Sequence, residues 1–121
     1  MNPATMGPTM LRFDDVAVVV SDAKKAATWW SKKLGFSVRS RAGHWITVAP
    51  RGSSVVLHLC EGGRREKGNT GIGFTAPDVA REEKRLRAKG VRFTRPTTVA
   101  EWGTFAMFAD PDGNEFWISE R

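Results

Sequence analysis

The spacing of apolar positions changes along this chain, and the changes mark out elements. Residues 13–20, from Phe13 to Val20, are rich in β-branched side chains and end at Ser21-Asp22. That pattern predicts a strand followed by a helix N-cap. Over 22–34 the period lengthens: Ala23, Ala26, Ala27, Trp30 and Leu34 recur at helical spacing, with Lys24, Lys25, Lys32 and Lys33 on the other faces. Gly35 stands where a helix stops in the left-handed conformation. Three short strands are predicted next, one opening at Phe36-Ser37-Val38, one over His44–Ala49 and one over Val55–Cys60. Turns part them at Arg41-Ala42-Gly43 and Pro50-Arg51-Gly52. The same order then returns. Residues 71–76 read as a strand, Pro77-Asp78 starts a helix to about Lys89 that Gly90 stops, and Val91–Thr94, Thr104–Ala109 and Glu115–Ser119 read as strands.

The two halves agree in spacing as well as order. Asp22 precedes Gly35 by thirteen positions and Asp78 precedes Gly90 by twelve. Each glycine leads into an apolar residue and a strand, and each half carries a Pro-x-Gly turn before its last strand, Pro50-Arg51-Gly52 and Pro111-Asp112-Gly113. This is an internal βαβββ repeat, which predicts an α+β fold of two modules. Each module has four strands and one helix, so one sheet face is covered and the other must be buried or used. Residues 1–11, with two prolines and no charge before Arg12, are predicted to be a flexible tail. Residues 12–121 form one domain, with module 1 over about 12–61 and module 2 over about 70–121.

Composition narrows the class. A chain of 121 residues with 40% apolar and 26% charged residues suits one globular domain with a real core. No apolar run exceeds five residues, against the roughly 20 a membrane span requires, so no membrane partner is expected. The first ten residues lack the basic and apolar regions of a secretory signal. Cys60 is the single cysteine, which excludes an intrachain disulfide and any multi-cysteine metal site. These features together predict a cytoplasmic protein. The net charge of +6 and pI near 10.1 raise nucleic acid as a partner. The excess is spread over both halves, and its densest cluster, Arg64-Arg65-Glu66-Lys67, sits in a Gly-flanked loop. No zinc-finger, RNA-binding or phosphate-loop pattern accompanies it, so no nucleic-acid partner is expected.

The residues Val20-Ser21-Asp22, Trp29-Trp30, Leu34-Gly35-Phe36 and Asp110-Pro111-Asp112-Gly113-Asn114-Glu115 carry a family likeness. Through them the chain resembles the vicinal oxygen chelate superfamily of glyoxalase I, extradiol dioxygenases and bleomycin- and fosfomycin-resistance proteins. Trp102-Gly103 looks like a glyoxalase-like branch found in bacteria. The likeness spans roughly residues 12–120. It implies two βαβββ modules whose curled mixed sheets form a cup around a small-molecule ligand, and a homodimer with two cups. Enzymes of the family hold a divalent metal with one side chain from the first and last strand of each module. Those positions carry over to Asp15, His58, Gly71 and Trp117. Gly71 and Trp117 offer no ligating side chain. At most Asp15 and His58 remain, with His44 as a stray third, and a catalytic centre takes about three protein ligands plus an open position. The metal site is therefore read as degenerate and no cofactor is expected; a divalent metal, if held, would rest on Asp15 and His58.

Strand alternation sorts the residues facing the cup. Phe13, Asp15, Ala17 and Val19 share one face of the first strand, Gly71, Gly73 and Thr75 one face of the fifth, and Glu115, Trp117 and Ser119 one face of the eighth. With the family's layout, Asp15, His58 and Trp117 would converge. Small residues at Ala17, Gly71 and Gly73 leave room, Trp45, Trp102 and Trp117 offer flat apolar surface, and Asp15 and His58 offer polar handles. His58 has a second reading, as a strand residue satisfied by a backbone carbonyl or by Asp15. Trp30 is assigned to the core, and Cys60 to a small, buried role. The leading expectation is a metal-independent protein binding a small organic ligand at Asp15, His58, Trp45, Trp102 and Trp117. The alternatives are a metal-dependent lyase or dioxygenase of the glyoxalase type with an atypical site, and a pure interaction module with no cavity. The helix after Asp78 is poor in apolar residues while the strands are rich, which fits sheets covered by a partner in a two-fold homodimer.

Overall fold

Both helices begin on an aspartate whose side chain closes the first turn. Asp22 and Asp78 adopt extended backbone, and their carboxylates accept from the N–H of Lys25 and Arg81, each at 3.0 Å. A computed structural model describes residues 9–63 and 68–121 of the chain. Its elements are β1 (Asp15–Val19), α1 (Ala23–Leu34), β2 (Ser37–Ala42), β3 (Trp45–Ala49), β4 (Val56–Cys60), β5 (Gly68–Ala76), α2 (Val79–Ala88), β6 (Arg92–Ala100), β7 (Gly103–Ala109) and β8 (Asn114–Glu120). Gly35 ends α1 at φ +74°, where a side chain would be strained, and its N–H returns to the Ser31 carbonyl. The fold is α+β, with two four-stranded mixed sheets ordered β1-β4-β3-β2 and β5-β8-β7-β6. In each, the first strand of the module pairs in parallel with the last, and the remaining pairs are antiparallel. The βαβββ repeat is thus two copies of one topology.

Three boundaries differ from the pattern-based expectation. β1 spans five residues rather than eight, and Phe13, expected within it, is exposed. β5 starts three residues before Gly71, because Asn69 and Thr70 supply pairing and side-chain bonds that a Gly-rich stretch conceals. β6 runs to Ala100 rather than stopping at Thr94. It continues through Pro96 because β6 is an edge strand whose register shifts around Arg95. A proline that donates nothing is tolerated there. The expected tail at residues 1–8 and the loop Arg64-Arg65-Glu66-Lys67 lie outside the described residues.

The core gathers one face of each sheet around α1. Val18, Leu57, Ile46 and Val48 come from the first sheet, and Phe108, Phe116 and Ile118 from the second. Trp30 sits between them with no exposed surface. Its ring meets Phe36 and Phe116 with centroids 5.0 Å away, and Phe74 and Phe108 at 6.1 Å. Trp29 is partly buried and packs against this cluster edge-on to Trp30. The DPDGNE motif ties the modules together. Buried Asp110 accepts from the backbone N–H of Asp112 and Asn114 and from the Asn114 side chain, which also donates to the Val19 carbonyl at 3.0 Å.

Trp30→Ala should lower the unfolding free energy by about 3–5 kcal/mol in urea titrations. Trp30→Phe should cost well under that, because Nε1 of Trp30 is buried without a hydrogen-bond partner and its loss removes an unsatisfied donor.

Candidate functional site

Because each sheet gives one face to the common core, the alternate residues of every strand point the other way. On the first sheet that outward face carries Asp15, Ala17, His58 and Thr47, with Ala17, His58 and Thr47 in register across β1, β4 and β3. Trp45 lies flat on the His58 imidazole, with centroids 3.6 Å apart and planes at 29°. His58 is therefore covered by an indole. Among the described residues no hydrogen bond or ion pair joins it to Asp15, so the reading in which Asp15 satisfies His58 is not borne out. Cys60, on the same face, is half-buried rather than fully enclosed, and its thiol points to the Glu61 carbonyl at 3.6 Å.

His44 goes elsewhere. Its Nδ1 stands 3.2 Å from Glu61, and the other oxygen of that carboxylate accepts the N–H of Ala23 at 2.7 Å. This places His44 at the start of α1, beside a hollow of about 270 Å³ lined by Ser21, Asp22 and Gly43. It does not join Asp15 and His58, and among the described residues no three His, Cys, Asp or Glu side chains come together to hold a metal. The donor set at the four carried-over positions, one carboxylate, one imidazole, a glycine and an indole, does not fit a catalytic metal centre.

On the second sheet the outward face is aromatic. Gly73, Trp117, Met107 and Arg95 form one row across β5, β8, β7 and β6. Phe105, one row on, is flanked by Trp102 at 4.8 Å and Trp117 at 5.0 Å, with planes inclined by 29° and 35°. Trp102 remains 64% exposed, so this wall is open to a ligand. Trp117 is fixed at its polar end, where Nε1 donates to Oδ1 of Asn69 at 2.8 Å. The same oxygen accepts from the N–H of Gly71, which lies in an irregularity of β5 at φ +75°. The residue expected at a metal-ligand position thus helps to hold the turn that orients Trp117.

The two groups do not meet within one chain. Asp15, His58 and Trp45 stand on the first sheet, Trp102 and Trp117 on the second, and both sheets use their other faces for the same core. Asp15 and His58 thus stand on a different sheet from Trp117. Pattern reasoning also missed Asn69, Phe105 and Arg95. Asn69 lies among glycines, and Arg95 falls just beyond the strand expected over Val91–Thr94.

The β6–β7 hairpin that carries Trp102 is anchored from behind. Glu83 on α2 accepts from the backbone N–H and the hydroxyl of Thr97, both at 2.7 Å, and from Nε of Arg87 at 2.7 Å. Burial alone would raise its pKa, but the Thr97 hydrogen bonds and the Arg87 contact outweigh it and hold the carboxyl below the ordinary glutamate value. A lowered folded pKa means the stabilisation is present above the unfolded value and is lost as pH falls through the folded one. The gap in unfolding free energy between wild type and Glu83→Gln should therefore narrow between about pH 6 and pH 3. Unfolding midpoints of the two proteins across that range provide the check.

Residues 12–118 match the Glyoxalase/Bleomycin resistance protein/Dioxygenase superfamily. The chain is 32% identical over 115 residues to the uncharacterized protein YetH of Bacillus subtilis (strain 168), covering 87% of this chain and 94% of YetH. A superfamily member from Sphaerobacter thermophilus superposes with a TM-score of 0.83 at 30% identity, covering 93% of this chain and 98% of its own. TnmS3, an antibiotic binding protein from Streptomyces sp. CB03234, gives the same TM-score and coverage at 28% identity.

Proposed function

This chain belongs to the glyoxalase/bleomycin resistance protein/dioxygenase superfamily, and from that premise we propose that it binds a small organic molecule, without a catalytic metal, in a cup completed by two copies. The observation that carries the reading is the open aromatic wall of Trp102, Phe105 and Trp117 on a sheet face that the core does not use. Rings at these separations bury among themselves less than they could. Trp102 keeps most of its surface exposed, and Gly73 beside Trp117 adds no side chain over it. A flat ligand would recover that area, at roughly 25 cal/mol per Å² of apolar surface. The likeness to an antibiotic-binding protein supports ligand capture rather than turnover. So does the donor set, which lacks the ligands a catalytic metal needs.

The second copy is argued from edges and faces. β1 and β5 each end a sheet, and each pairs on one side only. The first sheet's outward face offers Asp15, His58 and Trp45 to the opposite wall, and Trp102, packed on Phe105, keeps most of its surface exposed. The homodimer interface is expected to bury more than about 1,000 Å² in total. Light scattering at micromolar concentration should give twice the chain mass; a monomer would remove the shared cup.

A panel of planar organic molecules, read by quenching of tryptophan fluorescence, tests binding. Ligands that quench wild type should lose about tenfold or more in affinity with Trp117→Ala, since an aromatic anchor in a binding face is typically worth over 1 kcal/mol. Elemental analysis of the purified protein should find well under one equivalent of Ni, Zn, Fe or Mn per chain. About one equivalent would favour a metal-dependent lyase or dioxygenase built on Asp15 and His58.

A further inference from the structure

The aromatic wall ends in a cation. Arg95 shares a row with Trp117 and Met107, and its guanidinium carbon lies 5.6 Å from the centre of the Phe105 ring. Among the described residues it makes no ion pair. Glu115, the carboxylate on the same face of β8, accepts instead from the Thr94 hydroxyl at 2.8 Å. Other arginines of this module are engaged differently: Arg85 pairs with Glu82 and Arg87 with Glu83, both at 2.7 Å. Arg95 is held in place by geometry and not by charge. The register shifts on both sides of it fold β6 so that Arg95, and not Thr94, aligns with Met107, and the Thr97–Glu83 bonds fix the strand just beyond.

We infer that Arg95 is a specificity-determining residue of the cup, and that the ligand is a planar aromatic molecule carrying an acidic group, a carboxylate, sulfonate or ionised phenol. This rests on the cup reading proposed above. The ligand's rings lie on Trp117 and Trp102, and its anion accepts from the guanidinium at the edge of the wall. A guanidinium suits this position because its planar fork can bind a carboxylate bidentately while its face stacks on Phe105. A lysine ammonium at the same place would keep the charge and lose the fork. The single acidic group on the facing sheet, Asp15, would disfavour an anion near it, which orients the ligand with its acidic end toward β6.

Isothermal titration calorimetry with 2-naphthoate and its neutral isostere 2-naphthamide tests this directly. Wild type should bind the carboxylate at least about tenfold more tightly than the amide, the scale of one charge-assisted hydrogen-bonded contact. Arg95→Gln should abolish that preference while leaving the amide's affinity within about twofold, and Arg95→Lys should keep part of it. Arg81→Gln, an equal loss of charge on the exposed side of α2, should leave the preference intact. Circular dichroism and light scattering confirm that each variant keeps its fold and its mass. Equal affinities for the two probes in wild type would overturn the role of Arg95 while leaving the cup standing. A preference that survives in Arg95→Gln would do the same. Failure of both probes to bind wild type would count against the cup itself and against Arg95 with it.

Discussion

The packing of Trp30 is the constraint on which the rest of this structure depends. One helix, α1, lies on the first sheet, and one side chain of that helix reaches the aromatic residues of the second. The two modules therefore share a core rather than each closing its own. That arrangement satisfies a shortage visible in α2, where Val79 and Leu86 are the only buried residues. A helix with so narrow an apolar stripe cannot cover a four-stranded sheet alone. The large rings at Phe74, Phe108 and Phe116 make up the deficit from the sheet side. The consequence is directional: with one face of each sheet in the core, the opposite faces point outward and carry Asp15, His58, Trp45 and Trp117.

The motif that most strongly marks the family turns out to be architectural. Asp110 is buried in a turn and its carboxylate receives three N–H groups, two from the backbone and one from Asn114. Burial raises its pKa and the negative charge of nearby Asp112 adds to the rise; the three N–H donors lower it without fully reversing the shift. A buried carboxylate is retained because the turn it organises also hands Asn114 to the end of β1, and because Asp112 reaches the backbone N–H of Ser21 at 3.2 Å. The second module is thus clamped to the first at the point where α1 begins. Trp30 and this turn act at opposite sides of the same junction, one by apolar packing and one by hydrogen bonds.

What could be read from the sequence follows from how local each signal is. Asp22, Gly35, Asp78 and Gly90 act through their own backbone and the next turn, so both helices fall within a residue or two of their expected limits. The βαβββ repeat was legible because its spacing is set by those same stops. Pairing between distant strands is not local. The extension of β6 past Pro96 depends on β7 lying beside it, and the irregularity at Gly71 depends on Asn69 reaching Trp117. The site was legible in part. Trp45, His58 and Trp117 do stand on outward faces, since strand alternation fixes the face once the strand is known, while Trp102 reaches Phe105 from the β6–β7 turn. That they divide between two surfaces was not legible, because it depends on which faces α1 binds together.

Trp117 shows most directly how this chain departs from the ligand pattern that the superfamily resemblance implies. It stands at the position where the superfamily resemblance would place a carboxylate ligand, and Gly71 stands where another ligand would be. Neither change is a simple loss. The indole of Trp117 has acquired its own hydrogen-bond acceptor in Asn69, its own small neighbour in Gly73 and a ring partner in Phe105. Gly71 supplies the positive-φ backbone that brings Asn69 into place. A position vacated by a metal ligand could be filled by any residue that tolerates the strand, and a lone tryptophan there would carry little information. A tryptophan with a dedicated acceptor, an adjacent glycine and a guanidinium at the far end of its row is an organised surface. In the proposed cup such a surface would recognise a ligand by stacking and charge, where the superfamily's metal enzymes use coordination.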